Sequence, residues 1–454
     1  MTITSSITKR RARSAAIFAV TALAFLPCGD STVAALPSPP SHGAHSFGAN
    51  FPGITGLGTA DGSTLIATPI DTTNLAGKTI KQVAAGEDHS LLLAADGTVF
   101  AFGSNALGET GLGITSGNTL VATPINTTNL TGKRITQVAA GVEYSLLLAD
   151  DGTVFSFGFN GAGRTGLGTA VGNTSVATPI DMSNLAGKWI TQVAAGRDHS
   201  LLLAGDGTVF AFGSNRRGQT GLGVADGETL IATEVELADL GDRKITQVAA
   251  GWDHSVLLAD DGTVFSSGYN AVGRTGQGLS TGNTLVATQI DMTFLAGQTI
   301  VQVAAGSEHS LLLSDDATVF SFGSNSYGQT GRGTTVGATL VATPISPSNY
   351  DGKMITDVSA GEFHSLLLAN DGTVFSFGDN SHGKTGLGTG GGSTLVATPI
   401  NTTNLEGLRA TSISAGRFHS LLVAVPEPAG ATLLVVGGLL SFIGWSTVNS
   451  RRRV

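Results

Sequence analysis

The chain is poor in cysteine and in charge. It contains one cysteine, Cys28, among 454 residues, and charged residues make up only 13% of it. A single cysteine excludes an intramolecular disulfide framework. The chain also lacks the high charge that is typical of a disordered polar sequence. Glycine is abundant instead, with 64 residues, and this balance favours many short strands joined by tight turns.

Basic residues are scarce in the body of the chain. The formal net charge is −9, from 24 basic and 33 acidic residues. Seven of the basic residues lie near the two ends: Lys9, Arg10, Arg11, Arg13, Arg451, Arg452 and Arg453. Without them 17 basic residues face 33 acidic ones, a charge of −16. Such a body repels phosphates, so we expect no nucleic-acid partner.

Residues 1–35 have the three parts of a secretory signal peptide. A basic start, Lys9–Arg13, precedes an apolar run, Ala15–Leu26, and a small-residue cleavage pattern, Val33–Ala35. This pattern predicts export, followed by a linker over residues 36–42. Cys28 would be lost with the signal peptide.

The C-terminal segment predicts a transmembrane helix. No charged residue occurs over Pro428–Ser450, and Ala431–Val448 is mostly apolar. About 20 apolar residues suffice to cross a bilayer as a helix. The three arginines that follow indicate a cytoplasmic end. The alternative, a helix buried in a protein core, is disfavoured by the three glycines within the segment.

A phrase repeats seven times between these ends. One of its glycines recurs every 55 residues, at Gly86, Gly141, Gly196, Gly251, Gly306, Gly361 and Gly416. A second glycine recurs with the same spacing, at Gly48, Gly103, Gly158, Gly213, Gly268, Gly323 and Gly378. A long constant period of this kind indicates a propeller, a solenoid or another repeat array.

Each period predicts four strands, A to D. Strands B (His89–Ala94) and C (Thr98–Gly103) are separated by an Asp-Gly pair, a strong hairpin signal. Strand A (Thr79–Ala85) ends in small residues that suit the crowded centre of a ring. Strand D (Thr64–Ile70) ends in a Pro-Ile pair, and a proline that cannot donate to a ladder belongs at an outer edge. Seven such units predict an all-β, seven-bladed propeller of four-stranded antiparallel blades.

The two ends of the repeat region predict how the ring closes. The last copy supplies only strands A and B and ends near Val425, whereas the stretch from Gly43 to Asn50 supplies strand C and leads into strand D. Together they complete the seventh blade, which leaves no open edge. We therefore predict a propeller domain over residues 43–425. An open solenoid is the alternative, but it would need polar capping repeats.

The phrase "VAAGEDHSLLLAADGTVFAFGSNALGETGLG", from Val83 to Gly113, resembles the repeats named after the regulator of chromosome condensation. The resemblance covers about residues 43–425 and implies a seven-bladed propeller that binds partners rather than catalyses. Family repeats usually carry Trp before the glycine that ends strand C. This chain has Phe102, Phe157, Phe212, Phe322 and Phe377 there, and Ser267 once.

Residues 426–454 resemble a PEP-CTERM sorting signal. The motif Pro426, Glu427 and Pro428 precedes the predicted helix and the cluster Arg451, Arg452 and Arg453. The resemblance implies an inner-membrane intermediate in a Gram-negative bacterium, processed by a sorting enzyme of the exosortase type. The mature protein would then reach the cell surface, outer membrane or extracellular matrix. A plain membrane anchor is the alternative.

No residue pattern in the repeats indicates a catalytic or metal site. Histidine recurs at one position of the repeat, and Tyr144 interrupts the series. Equivalent positions on different blades diverge, whereas a metal needs its donors about 2 Å away. We therefore predict structural histidines that bond within their own blades. We also expect no metal, no cofactor and no enzymatic activity.

Two places differ freely between the copies, and both predict a partner-binding face. One is the residue pair after the Ala-Ala-Gly phrase, and the other surrounds the asparagine after strand C. Because strands alternate in direction, the A-to-B and C-to-D connections leave from one face of the disc. The candidate residues there are Tyr144, Phe159, Arg216, Arg217, Trp252, Asp253, Tyr269, Tyr327, Phe363 and His382.

These patterns predict an exported binding or adhesion module for a surface protein or an exopolysaccharide. Aromatic residues and arginine are the types that anchor interfaces, although loops also vary because they tolerate change. One alternative is a secreted polysaccharide-degrading enzyme, which would need carboxylates about 5 to 10 Å apart. A regulator of small GTPases is a further alternative, which the predicted export disfavours.

Overall fold

The computed structural model describes residues 43–295, 297–405 and 407–427. Its strands are β1 (Gly43–Ala49), β2 (Ser63–Pro69), β3 (Ile80–Ala85), β4 (His89–Ala94), β5 (Val99–Gly103), β6 (Thr119–Pro124), β7 (Ile135–Ala140), β8 (Tyr144–Ala149), β9 (Val154–Gly158), β10 (Thr174–Pro179), β11 (Ile190–Ala195), β12 (His199–Ala204), β13 (Val209–Ser214), β14 (Glu228–Glu234), β15 (Ile245–Ala250), β16 (His254–Ala259), β17 (Val264–Tyr269), β18 (Asn283–Gln289), β19 (Ile300–Ala305), β20 (His309–Ser314), β21 (Val319–Gly323), β22 (Thr339–Pro344), β23 (Ile355–Ala360), β24 (His364–Ala369), β25 (Val374–Asp379), β26 (Ser393–Pro399), β27 (Leu408–Ala415) and β28 (His419–Pro426). Short 3-10 helices occupy Gly161–Gly163, Ser183–Leu185, Ala271–Gly273, Pro347–Tyr350, Ser381–Gly383 and Thr403–Leu405.

The strands form seven four-stranded antiparallel sheets, as the repeat predicts. Blades 1 to 6 each use four consecutive strands, from β3–β6 for blade 1 to β23–β26 for blade 6. The seventh sheet has the order β2-β1-β28-β27. It therefore combines the N-terminal and C-terminal strands, and the predicted closure of the ring is confirmed.

The last strand extends slightly beyond its predicted end at Val425. Pro426 still lies opposite Leu408 in the β27–β28 ladder, and the Glu427 N–H donates to the Gly407 oxygen at 3.2 Å. The strand continues because this copy has no Asp-Gly pair to turn the chain back. Two of the three residues of the Pro-Glu-Pro motif thus contact the propeller.

Other predicted segments lie outside the described residues. These are the signal peptide over 1–35, the linker over 36–42 and the C-terminal helix with its arginines. In the described part of the chain, no helix is both long and apolar enough to traverse a bilayer.

The core lies between neighbouring blades. Strands B and C are buried on both faces, which explains their nearly continuous apolar sequence. One cluster, for example, joins Leu91 and Leu93 of blade 1 to Leu147 and Phe155 of blade 2. Each blade therefore needs its neighbours to bury its apolar side chains.

A glycine packs against a phenylalanine of the next blade at six of the seven blade-to-blade contacts. Gly111, in the C-to-D connection of blade 1, has a φ of +67°, and a Cβ there would lie 2.9 Å from the ring of Phe157 in blade 2. This close approach requires glycine. At the contact between blades 3 and 4, Ser267 takes the place of the phenylalanine and faces Gly221.

Candidate partner-binding face

The A-to-B and C-to-D connections meet on one side of the disc, which we call the front face. In blade 1 the Ser104 N–H, just after strand C, donates to the Asp88 oxygen in the A-to-B connection at 2.7 Å. The same bond joins Ser214 to Asp198 in blade 3. The predicted variable positions therefore come together on one face, although their role in binding stays a prediction.

Most of the predicted site residues are accessible on the front face. The exposed ones are Arg216, Arg217, Tyr327 and His382. The half-buried ones are Phe159, Trp252, Asp253, Tyr269 and Phe363. These side chains are contributed by blades 2 to 6.

Tyr144 is the exception, and its prediction as a surface residue is wrong. Its side chain is 0% exposed, since it begins strand β8 and points into the contact between blades 2 and 3. Its hydroxyl donates to the His199 oxygen at 2.7 Å and lies 2.9 Å from Ser200 Oγ. Tyr144 thus replaces a histidine in the blade-to-blade contacts.

The repeated histidines bond the next blade, not their own as predicted. His89 Nε2 lies 2.8 Å from Ser145 Oγ in blade 2. That hydroxyl donates its proton to the backbone carbonyl oxygen of Glu109 at 3.0 Å. The ring nitrogen must then be the donor, which places a proton on Nε2 of His89. Burial lowers the pKa of His89 to about 4, in agreement with a neutral ring.

No metal is indicated at these histidines. Within residues 43–427, as far as they are described, no three His, Cys, Asp or Glu side chains are placed to hold a metal ion. The repeated unit of histidine, serine and carbonyl is instead a structural link between blades.

The first residue of each variable pair lies around the front mouth of the central channel. These residues are Glu87, Val142, Arg197, Trp252, Ser307, Glu362 and Arg417. Arg417 forms ion pairs with Glu87 and, at 3.2 Å from Nε, with Glu362. Burial raises the pKa of Glu362 to about 7, because desolvation of its carboxylate outweighs the attraction of the Lys384 ammonium.

Aromatic and guanidinium groups form a continuous cluster beside this mouth. The Phe363 ring lies 4.9 Å from the Tyr327 ring and 6.5 Å from the Trp252 ring, centroid to centroid. The guanidinium carbons of Arg197 and Arg417 lie 4.9 and 5.5 Å from the Trp252 ring. Stacking of this kind holds long side chains in place while part of each remains accessible.

Sequence reasoning missed a set of buried cations beneath the front face. Arg164 lies 2.5 Å from Asp198 and 3.9 Å from Glu143, the second variable residues of blades 3 and 2. Arg274 bridges the equivalent pair, Asp253 at 3.9 Å and Glu308 at 3.1 Å.

Lys384 takes the corresponding place between blades 6 and 7. Its Nζ lies 2.7 Å from Asp379, and about equally far from the rings of Phe363 and Phe418, at 5.9 and 6.0 Å. The sequence does contain a signal for these cations. The residue before the Thr-Gly pair that follows strand C differs between the seven copies: Ile54, Glu109, Arg164, Gln219, Arg274, Gln329 and Lys384.

The contact between blades 1 and 2 carries acid in place of a cation. Burial, followed by the charges of Glu109 and Glu143, raises the pKa of Asp88 to about 6. Glu109 is buried, and its Oε2 accepts a hydrogen bond from the Leu107 N–H at 2.8 Å. Carboxylates therefore converge here, but one of them is bound to its own loop.

These features define a class: a closed propeller with structural links between blades and one variable, arginine- and aromatic-rich face. Comparison with protein families agrees. The chain belongs to the RCC1-like domain family, whose model matches residues 170–429. Models of the regulator of chromosome condensation repeat match residues 80–109, 135–164 and 96–148.

Curated relatives share about a third of the residues. The human E3 ubiquitin-protein ligase HERC2 is 32% identical over 360 residues, covering 78% of this chain but 7% of HERC2. The ultraviolet-B receptor UVR8 of Arabidopsis thaliana is 32% identical over 280 residues, covering 62% of this chain and 61% of the receptor. This chain thus spans less than two thirds of either relative.

Solved structures share the fold. Human WBSCR16 superposes with a TM-score of 0.74 at 23% identity, covering 85% of this chain and 100% of WBSCR16. Prp20p of Saccharomyces cerevisiae gives 0.75 at 21% identity, covering 87% of this chain and 93% of Prp20p. At these identities the likeness concerns the fold alone.

Proposed function

We propose that this protein is an exported, non-enzymatic binding module whose front face captures a surface protein or an exopolysaccharide. The observation that carries the proposal is the cluster of Trp252, Tyr327 and Phe363 with Arg197 and Arg417. Aromatic and arginine side chains held by one another form low-entropy anchors for a partner. Export and sorting through residues 426–454 rest on the sequence patterns at the two ends.

The opposite side of the disc, the rear face, supports this choice by contrast. It carries the B-to-C turns, whose aspartates pair with lysines of the same blade, as Lys353 does with Asp371 at 2.7 Å. It also exposes Trp189, Phe294 and Met354, by 56%, 53% and 59%. No aromatic stacking of these side chains occurs among the described residues. The exposed apolar groups of the front face, in contrast, contact one another.

The experiment is capture of cell-surface material by the full-length protein and by two matched triple variants. W252A/Y269A/Y327A removes front-face anchors, and W189A/F294A/M354A removes three exposed apolar groups of the rear face. We expect the front variant alone to lose capture. Equal capture by both variants, with both folded by circular dichroism, would contradict the proposal.

A polysaccharide-degrading enzyme is the second candidate. It is favoured only by the carboxylates Asp88, Glu109 and Glu143, since a raised pKa such as that of Asp88 suits a general acid. Glu109 is buried and accepts the Leu107 N–H, which disfavours it as a nucleophile or base. Regulation of a GTPase, the remaining alternative, is disfavoured by the predicted export.

A further inference from the structure

Four arginines line one depression of the front face, which we call the arginine pocket. Arg164 comes from blade 2, and Arg197, Arg216 and Arg217 come from blade 3. The depression has a volume of about 340 Å³, at the lower end of the range for small-ligand sites. Three carboxylates also line it, which leaves one net positive charge in a chain whose total is −9.

Each of these carboxylates already has a basic partner. Asp198 lies 2.5 Å from Arg164 and 3.5 Å from Arg197. Glu228 lies 3.4 Å from Arg216. Asp253 lies 3.9 Å from Arg274, which comes from outside the pocket. Among the described residues, Arg217 is therefore the one arginine lining the pocket that forms no ion pair.

Arg217 is held in place without an ion pair. Its guanidinium carbon lies 4.1 Å from the Tyr269 ring centroid, and its backbone N–H donates to Gln219 Oε1 at 2.8 Å. No carboxylate of the described residues lies within ion-pair distance of it. A guanidinium stacked on a ring keeps its N–H donors in the guanidinium plane, where they match the two oxygens of a carboxylate.

We infer that the arginine pocket binds the carboxylate of an acidic sugar, such as a uronate residue of a polysaccharide. This inference rests on the proposed function, whose partner class it narrows. The pocket suits a sugar-sized group better than a protein surface, because a stable protein interface buries an area far larger than such a depression. Ser214, which also lines the depression, supplies a hydroxyl group for a sugar beside the arginine that takes the acid.

The test is calorimetric titration of the full-length protein with trigalacturonate. The uncharged galactose trimer, inorganic phosphate and a glutamate hexapeptide serve as competing probes. R217Q removes the arginine that forms no ion pair, and K353Q removes an ion-paired charge on the rear face as the matched control. We expect trigalacturonate to bind at least tenfold more weakly to R217Q than to the wild-type protein or K353Q. The affinity should also fall as salt is added.

Three results would overturn the inference. They are no binding of trigalacturonate, equal binding by R217Q, or tighter binding of the neutral trimer, phosphate or the peptide. If R217Q still captures cell-surface material while trigalacturonate does not bind, the inference fails and the proposed function stands. If the front-face triple variant keeps full capture, the proposed function fails independently of this titration.

Discussion

His419 Nε2 lies 2.7 Å from Ser90 Oγ, and this contact joins the last repeat to the first across 329 residues of chain. The serine hydroxyl donates to the Ile54 oxygen at 2.9 Å, so the imidazole donates to the serine. The same arrangement joins His89 to Ser145 between blades 1 and 2. The link that joins the other neighbouring blades therefore also joins blade 1 to blade 7, the blade built from N-terminal and C-terminal strands.

Replacing Ser90 by Ala should loosen this closure. The buried His419 N–H would lose its acceptor, which costs about 1–3 kcal/mol of the free energy of unfolding. Only non-covalent contacts hold β1 against β28, so we expect faster hydrogen exchange of the amides over residues 43–49. The matched variant is S145A, which removes the same link where both bonded residues, His89 and Glu109, belong to one continuous blade, whereas Ser90 bonds Ile54 and His419 from the two halves of blade 7. If both variants have the same exchange in β1, the closure has no special sensitivity.

The buried histidines should make the stability of the protein depend on pH, and Tyr144, which stands at a histidine position of the repeat, offers a test. Burial lowers the pKa of His199 to about 3 and that of His419 to about 3, from 6.5. The folded protein therefore binds fewer protons than the unfolded chain below pH 6.5. Stability from such a histidine is fully present above pH 6.5 and is lost as the pH falls toward the folded pKa.

Tyr144→His should therefore steepen the acid sensitivity of the protein. It adds one more buried, neutral imidazole, so its free energy of unfolding should fall by about 2 kcal/mol more than that of the wild type between pH 7.5 and 5. Urea denaturation across this range measures the difference. Tyr144→Phe is the control, because it removes the hydroxyl bond without adding a titrating group. Parallel pH curves for Y144H and wild type would contradict the prediction.

The fold could be predicted from short sequence patterns within each repeat. The Asp-Gly pair at Asp96 and Gly97 specifies a hairpin, and Pro69 cannot donate within a ladder, so strand pairing and the outer edge followed from chemistry within one repeat. The seven copies at a constant period of 55 residues then predicted seven blades.

Contacts between repeats could not be read in the same way. The period alone does not say whether the acceptor for His89 is on its own blade or the next, and Ser145 lies 56 residues away. The prediction of Tyr144 as a surface residue was wrong for the same reason. A difference between copies does not distinguish a surface residue from one that is buried at a blade contact. The bridging role of Arg274 could not be predicted from one repeat, because its two acids come from different repeats.

Ala317→Gly should stabilise the B-to-C turn of blade 5. Ala317 has a φ of 69°, whereas glycine stands at the equivalent turn position of Gly372, with a φ of 86°. The left-handed conformation costs an alanine about 1–2 kcal/mol, which the substitution removes. The greater entropy of glycine in the unfolded chain cancels about 0.4–1 kcal/mol of that gain.

The net gain expected for A317G is about 0.5 kcal/mol in the free energy of unfolding. The converse variant, Gly372→Ala, should lose stability, because its Cβ would lie 2.4 Å from the Cβ of Arg409. Thermal unfolding of the two variants measures both signs. A lower melting temperature for A317G would contradict the prediction, and would show that the methyl group of Ala317 makes a stabilising contact in the wild-type protein.

Ser267→Phe should strengthen the contact between blades 3 and 4. Ser267 is 1% exposed, and its Oγ has no hydrogen-bond partner among the described residues. The equivalent Phe157 and Phe322 pack against glycines of the preceding blade, as Ser267 does against Gly221. Burying a phenylalanine contributes about 1.5–3 kcal/mol, so we expect a higher melting temperature.

Ser267→Ala, the control, should be neutral or slightly stabilising, because it removes an unpaired buried hydroxyl without filling space. If S267A stabilises and S267F destabilises, the neighbouring side chains have already closed the space, and the phenylalanine overpacks it.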